Sequence, residues 1–179
     1  MTPRRVMITG GMRSGKSRFA ERLLAGEPHV TYVAPGTPPD PAADPEWADR
    51  IAGHRKRRPA SWTTLETGDV AGALRTGAPP FLIDCMGTWL TTTIDRLGTW
   101  DQPLADWWHR ISPEIEDLLQ AWRRCPGSAV AVTNEVGWGL VSEHRSGRVF
   151  TDLLGQLNAS LAEASDAVYL VVAGRALRL

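Results

Sequence analysis

The sequence predicts an α/β protein, with a mostly parallel sheet and helices on both of its faces. Short apolar runs suitable for strands alternate with segments in which apolar residues recur at helical spacing. Most of the strands are apolar throughout rather than at every second residue, as expected where both faces of a sheet are buried, whereas residues 62–65 alternate like a short strand. A glycine-rich turn joins the first strand directly to the first helix. Because ligands of such sheets gather at the carboxyl ends of the strands, the residues at those ends are the first candidates for a site.

This alternation fits one domain, taken as residues 1–179. Strands are predicted at residues 6–9, 30–34, 62–65, 81–84, 129–133 and 168–172. Helices are predicted at residues 16–25, 46–54, 70–74, 88–97, 104–124 and 145–164. Asp69 is expected to cap the third of these helices. A loop rich in Pro, Gly and Asp is predicted at residues 35–45, and a basic turn at residues 55–59.

The composition argues against several classes of partner. Twenty Lys and Arg residues balance twenty Asp and Glu residues, so no net field favours nucleic acid or an anionic membrane. No apolar run approaches the roughly 18 residues that cross a bilayer. Cys85 and Cys125 lie outside any metal-binding spacing and are predicted to be inert thiols. We therefore expect a cytoplasmic protein that binds no nucleic acid and does not insert stably into a membrane.

Residues 10–17 read GGMRSGKS and match the phosphate-binding pattern G-x-x-x-x-G-K-[ST] at each fixed position. Glycines allow backbone N–H groups to turn towards phosphate oxygens, and the following helix presents its positive end to the anion. Lys16 is expected to reach the β and γ phosphates, and the Ser17 hydroxyl to ligate Mg²⁺. The predicted binding residues are Gly10, Gly11, Met12, Arg13, Ser14, Gly15, Lys16 and Ser17. The pattern does not distinguish a kinase from another NTPase or a switch protein.

Asp84 closes the strand predicted at residues 81–84. An acid at this point is suited to hold the water shell of a nucleotide-bound Mg²⁺, together with Ser17. The alternative is that Asp84 only caps the helix that follows. The guanine-specificity pattern N-K-x-D is missing from the sequence, which disfavours a Ras-like GTPase.

His54 precedes four basic residues, Arg55, Lys56, Arg57 and Arg58. One interpretation is a solvated basic turn beside a histidine without a chemical role. The other is that a neutral imidazole attacks a phosphoryl or nucleotidyl phosphorus and forms a phosphoramidate. The neighbouring cations would keep the imidazole neutral near pH 7 and would stabilise charge on the attacked phosphate. The spacing alone leaves both interpretations open.

Taken together, the motifs resemble the bifunctional adenosylcobinamide kinase / adenosylcobinamide-phosphate guanylyltransferase family of cobalamin biosynthesis. The resemblance starts with ITGGMRSGKSRFAERL and continues through YVA, DRIAGHRKRRPASWTTLET and LIDCMGTWLT. It is strongest in VTNEVGWGLVSEHRSGRVFTDLLGQLNASLAEASDAVYLVVAG near the end of the sequence. These segments occur in order over nearly the whole chain. The stretch around His54 and the Asn-Glu-Val-Gly stretch are more specific than the phosphate loop.

The resemblance implies two reactions on a RecA-like P-loop fold that assembles as a homotrimer. In the first, a nucleoside triphosphate, ATP or GTP, phosphorylates the aminopropanol hydroxyl of adenosylcobinamide. In the second, GTP donates GMP to that phosphate, which gives adenosylcobinamide-GDP and pyrophosphate. His54 occupies the position of the histidine that becomes guanylylated, so the resemblance favours the nucleophilic interpretation.

The resemblance also implies roles for individual residues. Lys16 and His54 would be catalytic, and residues 55–58 would form a GTP-binding loop. Beyond the phosphate loop, the nucleotide-binding residues would be Tyr32, Val33, Ala34, Arg55, Lys56, Arg57, Arg58, Glu66 and Asp84. For Glu66, the alternative is an exposed carboxylate at a strand end. Pro35 and Gly53 depart from the family pattern, which puts fine contacts with the nucleotide in doubt but not the reaction class.

Two other functions are consistent with the phosphate loop. A plain P-loop kinase for another small alcohol would transfer the γ-phosphate and form no covalent GMP. A nucleotide-binding switch or assembly module would bind nucleotide tightly and hydrolyse it slowly. Neither has a use for a nucleophilic His54, which is therefore the discriminating residue.

Asn134 and Glu135 follow the strand predicted at residues 129–133, on the ligand side of the sheet. They are candidate substrate contacts, and the alternative is a turn with a helix cap. No residue in the sequence identifies the corrinoid-binding surface or the general base of the kinase step.

Overall fold

A computed structural model describes residues 4–37, 42 and 44–179, without the side chains of Trp47, Arg50 and His54. The strands are β1 (Arg5–Thr9), β2 (Thr31–Ala34), β3 (Thr63–Glu66), β4 (Phe81–Asp84), β5 (Ala129–Val132), β6 (Ala167–Val172) and β7 (Arg175–Arg178). The helices are α1 (Lys16–Leu23), α2 (Pro45–Arg57), α3 (Val70–Thr76), α4 (Met86–Leu97), α5 (Leu104–Arg124) and α6 (Arg145–Glu163). The loop predicted at residues 35–45 lies partly outside the described residues.

The strands form one sheet in the order β3-β2-β4-β5-β1-β6-β7. Strands β1 to β6 pair in parallel, whereas β7 pairs with β6 in antiparallel orientation. The predicted mostly parallel sheet is confirmed, and the six predicted strands are present with ends that differ by no more than one residue. β1 lies between β5 and β6, so the phosphate loop leaves the sheet at the middle of its carboxyl edge.

Strand β7 was missed by the sequence analysis. Its four residues, RALR, are all exposed, so no apolar run marks them as a strand. β7 follows β6 through a tight turn in which Ala173 and Gly174 have φ values of 48° and 77°. Two successive residues with positive φ are typical of a two-residue hairpin turn.

Helices cover both faces of the sheet. Met7 and Val33 point into a core that they share with α3, α4, α5 and α6. Val6 and Ile8 point into the core on the other face, where they pack with Ala20 of α1. Because successive residues of a strand point to opposite faces, burial on both sides explains why the inner strands are apolar throughout, whereas β3 and β7 at the two edges are exposed.

Two predicted helix ends need correction. α1 ends at Leu23 rather than at residue 25. α2 continues to Arg57, so the basic turn predicted at residues 55–59 is wrong for its first three residues. The Arg57 side chain supports this extension, because its Nη1 donates to the carbonyl oxygen of Gly53 at 3.1 Å. This bond satisfies a carbonyl in the last turn of the helix, where basic side chains are favourable.

The other helices lie where the periodicity predicts them. Asp69 caps α3 as expected, since its Oδ1 accepts a hydrogen bond from the backbone N–H of Gly72 at 2.7 Å. Helices α4, α5 and α6 begin and end within two residues of the predicted positions. Across the described ranges, no helix is both long enough and apolar enough to cross a membrane.

Candidate functional site

The phosphate loop connects the end of β1 to the start of α1 at Lys16. Gly10 has φ 151° and Gly15 has φ 96°, conformations that residues with a side chain rarely adopt. A Cβ on Gly10 would also collide with the carbonyl oxygen of Val171, and one on Gly15 would lie 3.2 Å from the Cα of Gly174. Gly15 is the N-cap of α1 and brings no capping side chain, which leaves the N–H groups of the first turn accessible to an anion.

Two polar side chains of the loop are buried in a way that fits bound phosphate. Lys16 is 6% exposed, and its Nζ donates to the carbonyl oxygen of Gly11 at 3.0 Å. The Ser14 hydroxyl is buried and has no hydrogen-bond partner among the residues that the structure describes. A buried hydroxyl without a partner is destabilising, and a phosphate oxygen in the loop would supply the missing bond. The residues present therefore fit a nucleoside triphosphate.

An open cleft of about 760 Å³ lies beside the loop, a size that suits a nucleotide. Three parts of the chain form its walls: the phosphate loop with the first turn of α1, one side of α2, and the turn between β6 and β7. The lining residues are Arg13, Ser14, Gly15, Lys16, Ser17, Arg18, Glu46, Asp49, Gly53, Arg57, Ala173 and Gly174.

Helix α2 carries the predicted nucleophile. His54 lies in this helix between Gly53 and Arg57, both of which line the cleft. The side chain of His54 lies outside the described residues. The structure thus brings the phosphate loop and the helix that contains His54 to the same cleft.

Among the basic residues 55–58, which lie at the end of α2 and just after it, Arg55 and Arg57 form ion pairs with other elements of the fold. Arg55 forms an ion pair with Glu66 at the end of β3. Arg57 pairs with Glu21 of α1 through two N–O contacts of 3.1 Å each. Lys56 is exposed. The residues expected to form a GTP-binding loop are therefore largely helical, and they anchor the end of α2 against β3 and α1.

Arg58 follows α2 and links it to Asp84. The Arg58 guanidinium lies 3.7 Å from the centroid of the Tyr32 ring, and its Nη1 donates to Thr64 Oγ1 at 3.1 Å. The Tyr32 hydroxyl donates to Asp84 Oδ2 at 3.2 Å. Burial, followed by the charge of Asp84, raises the pKa of Tyr32 well above its usual value, so the phenol stays protonated as a donor. Burial lowers the pKa of Arg58, although a guanidinium remains charged at neutral pH.

Asp84 is the last residue of β4, and Cys85 occupies the N-cap of α4, so the helix-cap alternative for Asp84 is wrong. β5 separates β4 from β1, which puts Asp84 about 10 Å from the end of β1. Ser17 and Asp84 both offer the oxygen ligands that Mg²⁺ prefers. Among the described residues no group of three or more His, Cys, Asp or Glu could hold a metal. A bound Mg²⁺ would therefore take its other ligands from phosphate and water.

The remaining predicted residues differ in their access to the cleft. Val33 is fully buried in the core, so any contact it makes with a nucleotide would come from its backbone. Ala34 is half-buried at the end of β2. Met12 is 73% exposed. Arg13 lines the cleft and pairs with Glu46 at 3.7 Å, an exposed contact that contributes little stability.

The turn between β6 and β7 is a wall of the cleft that the sequence analysis missed. The backbone N–H of Gly174 donates to the carbonyl oxygen of Ser14 at 2.8 Å, which fixes the turn to the phosphate loop. The sequence carries one signal for this turn. A glycine directly after an apolar strand favours a hairpin turn, and Gly174 lies just beyond β6.

Glu135 lies at the same edge, immediately beside the phosphate loop. The Thr9 hydroxyl at the end of β1 donates to Glu135 Oε1 at 2.6 Å. Helix α6 has His144 as its N-cap, so neither Asn134 nor Glu135 caps it, and the capping alternative is wrong. The role of Asn134 and Glu135 as substrate contacts stays a prediction.

Comparison with known proteins supports the same assignment as the motifs. Residues 6–179 match the family described as cobinamide kinase / cobinamide phosphate guanyltransferase. The chain is 41% identical over 179 residues to the bifunctional adenosylcobalamin biosynthesis protein CobU of Salmonella typhimurium, covering 94% of this chain and 96% of that protein. It is 39% identical over 175 residues to the bifunctional adenosylcobalamin biosynthesis protein CobP of Pseudomonas aeruginosa, covering 95% and 94% respectively.

A solved ATPase from the type III secretion system of pathogenic bacteria has a similar fold. The superposition has a TM-score of 0.54 at 11% identity and covers 93% of this chain. This chain spans half the length of that ATPase, and at this identity the likeness shows the fold alone. Together with the mostly parallel sheet described above, this likeness confirms the predicted α/β fold class.

Proposed function

The chain belongs to the cobinamide kinase / cobinamide phosphate guanyltransferase family, and we propose that it catalyses both reactions in sequence. The first phosphorylates adenosylcobinamide with ATP or GTP. The second transfers GMP from GTP to adenosylcobinamide phosphate and releases pyrophosphate. The observation that carries the proposal is the single cleft shared by the phosphate loop and the helix that contains His54.

In the kinase step, the phosphate loop holds the triphosphate through its backbone N–H groups and the first turn of α1. Lys16 would turn from the Gly11 carbonyl to the β and γ phosphates, where it stabilises charge in the transition state. Mg²⁺ held by Ser17 and Asp84 would neutralise phosphate charge. Tyr32, as a donor to Asp84, keeps that carboxylate oriented.

In the guanylyl-transfer step, the imidazole of His54 attacks the α-phosphorus of GTP. A nitrogen–phosphorus bond forms, and the bond to the bridging oxygen of pyrophosphate breaks. The phosphate of the acceptor then attacks the same phosphorus, and the nitrogen–phosphorus bond breaks to return free His54. The neighbouring cations stabilise the charge that develops on phosphorus in both half-reactions.

We also propose that the chain acts as a cytoplasmic homotrimer. The connection between β5 and α6 supports self-association, because Trp138, Leu140 and Val141 in it are 68%, 101% and 81% exposed. Two free cysteines, Cys85 and Cys125, suit a reducing compartment. Sedimentation equilibrium would give the oligomeric state, and a monomer at micromolar concentration would contradict the trimer.

The experiment is intact-protein mass spectrometry after incubation with GTP and Mg²⁺. We expect a single GMP adduct on the wild-type chain and none on His54→Ala. His109→Ala, which changes a histidine of α5, is the matched control and should keep the adduct. If GTP binds but no adduct forms on the wild type, the covalent mechanism fails and a plain P-loop kinase becomes the better description.

A further inference from the structure

Glu135 lies between the phosphate loop and Asp84. It follows β5, the strand that separates β1 from β4. Its backbone N–H donates to the carbonyl oxygen of Gly10, the first residue of the phosphate loop, at 3.1 Å. The Thr9 hydroxyl donates to its Oε1 at 2.6 Å. The carboxylate is thus held against the loop that would bind the γ-phosphate.

Asn158 of α6 also contacts this carboxylate. It is 6% exposed, on a helix face whose other buried residues are leucines and a valine. Its Oδ1 accepts from Thr133 Oγ1 at 2.6 Å, and its Nδ2 donates to the carbonyl oxygen of Asn134 at 3.0 Å. Nδ2 also donates to Glu135 Oε1 at 3.4 Å. An amide in an apolar core is costly unless its polar atoms are paired, and here the pairing preorganises Glu135.

Both side-chain bonds to Glu135 go to Oε1. Within the part of the chain that the structure describes, no donor reaches Oε2, and Glu135 is only half-buried. The other acids at this edge are engaged elsewhere. Asp84 accepts from Tyr32, and Glu66 pairs with Arg55. Among these strand-end acids, Oε2 of Glu135 is therefore the carboxylate oxygen best placed to accept a proton beside the phosphate loop.

We propose that Glu135 is the general base of phosphoryl transfer, an assignment that rests on the proposed kinase function. Oε2 accepts the proton of the acceptor's hydroxyl as the hydroxyl oxygen forms its bond to the γ-phosphorus. The bond from the γ-phosphorus to the bridging oxygen breaks, and the nucleoside diphosphate leaves with that electron pair. Thr9 and Asn158 are positioning residues, because they hold Oε1 and leave Oε2 to the acceptor.

The test is Glu135→Gln, whose amide keeps the shape of the side chain and can still accept the bond from Thr9. With ATP, Mg²⁺ and adenosylcobinamide, kcat for phosphorylation should fall on the order of 10²–10³-fold while KM for ATP changes little. Formation of the GMP adduct from GTP should keep its wild-type rate, because that step involves no acceptor hydroxyl. Glu143→Gln removes an exposed acid from the same connection between β5 and α6, and should leave both rates unchanged.

A second variant, Glu135→Ala, distinguishes the loss of a general base from a distortion of the site. Added formate should restore part of its phosphorylation rate, because a small carboxylate can take the place of the lost one. A wild-type rate in Glu135→Gln would overturn the assignment, and so would an equal loss of phosphorylation and GMP transfer. Loss of activity in Glu135→Ala that formate does not restore would mean a structural role. If the wild-type chain phosphorylates no adenosylcobinamide, the proposed kinase function itself fails, before any variant is compared.

Discussion

Arg57 and Glu21 form a two-point ion pair between the helix that contains His54 and the helix that starts at the phosphate loop. Nε and Nη2 of Arg57 each lie 3.1 Å from a different oxygen of the Glu21 carboxylate. The Glu21 side chain is 12% exposed, so the pair is partly shielded from water. Ser17 and Glu21 are four residues apart and share a face of α1. The position of α2 is thereby coupled to that of the phosphate loop.

We predict that Glu21→Gln slows formation of the GMP adduct by about tenfold, because a small misplacement of a nucleophile lowers the rate of attack strongly. KM for GTP should change little, since Glu21 does not line the cleft. Quenched-flow sampling with intact-mass detection measures the rate. The phosphorylation of adenosylcobinamide, which does not use His54, should be affected less.

Two comparisons separate positioning from a general loss of stability. Glu27→Gln removes an exposed acid just beyond α1 and should leave the adduct rate unchanged. The charge-exchanged double variant Glu21→Arg, Arg57→Glu should recover part of the rate lost in Glu21→Gln. An adduct rate for Glu21→Gln equal to that of the wild type would mean that other contacts hold α2.

Lys16→Ala should weaken nucleotide binding in both half-reactions. A charged hydrogen bond to phosphate contributes about 1.5–3 kcal/mol, so affinity for ATP and for GTP should fall by roughly 10- to 100-fold. Isothermal titration calorimetry measures both affinities. Arg110→Ala, at an exposed position in α5, is the control for the loss of one positive charge. Unchanged affinity in Lys16→Ala would contradict the assignment of the phosphate loop.

The fold was largely predictable because inner strands such as β1, β4 and β5 are buried on both faces and leave continuous apolar runs. The four residues of β3 are exposed, and the alternation of residues 62–65 located that strand instead. All six parallel strands lie within one residue of the predicted positions. β7 gave no such run, since all four of its residues are exposed, and only its pairing with β6 makes it a strand. The end of α2 was missed for a related reason. Arg57 in its last turn pairs with Glu21 of α1, a contact that forms only after the two helices pack.

The candidate site likewise contains residues that the sequence could predict and residues that it could not. The phosphate loop is contiguous in sequence, so its residues could be named from the pattern alone. Asp84 could be named because strand ends share one edge of the sheet. The pair of Arg57 and Glu21 spans 36 positions and exists only after α1 and α2 pack. Asn158 was not predicted because it sits within a helical apolar pattern, where only the folded structure reveals its polar partners.

Gly10→Ala should destabilise the protein. Gly10 has φ 151°, and a Cβ there would collide with the carbonyl oxygen of Val171 in β6. Backbone in such a region costs on the order of 1–3 kcal/mol for a residue with a side chain. We expect the free energy of unfolding in urea to fall by about that amount. Gly11→Ala is the matched control, because a Cβ on Gly11 meets nothing within 4 Å. Equal stability of the two variants would contradict the close packing of the loop on β6.

Asp166→Asn should reduce stability at neutral pH and lose that effect in acid. The Asp166 carboxylate accepts from the Arg5 side chain at 3.0 Å and from the backbone N–H groups of Arg4 and Arg5 at 3.0 and 2.8 Å. These bonds, the Arg5 side chain foremost, hold the pKa of Asp166 below its ordinary value. A carboxyl group with a lowered pKa in the folded state stabilises the protein at pH values above the unfolded pKa of about 3.9. That contribution disappears as the pH falls through the lower, folded pKa.

The free energy of unfolding in urea, measured for wild type and Asp166→Asn at pH 7, 5 and 3, tests this pH dependence. The difference between the two should be similar at pH 7 and 5 and smaller at pH 3. Below the unfolded pKa of about 3.9 the unfolded wild type binds a proton at Asp166 more readily than the folded state does, so the stabilisation declines. Asp152→Asn, at an exposed position in α6, should show little difference from wild type at pH 7. A difference for Asp166→Asn that stayed constant down to pH 3 would mean that the side chain stabilises the start of β1 and β6 through its shape rather than its charge.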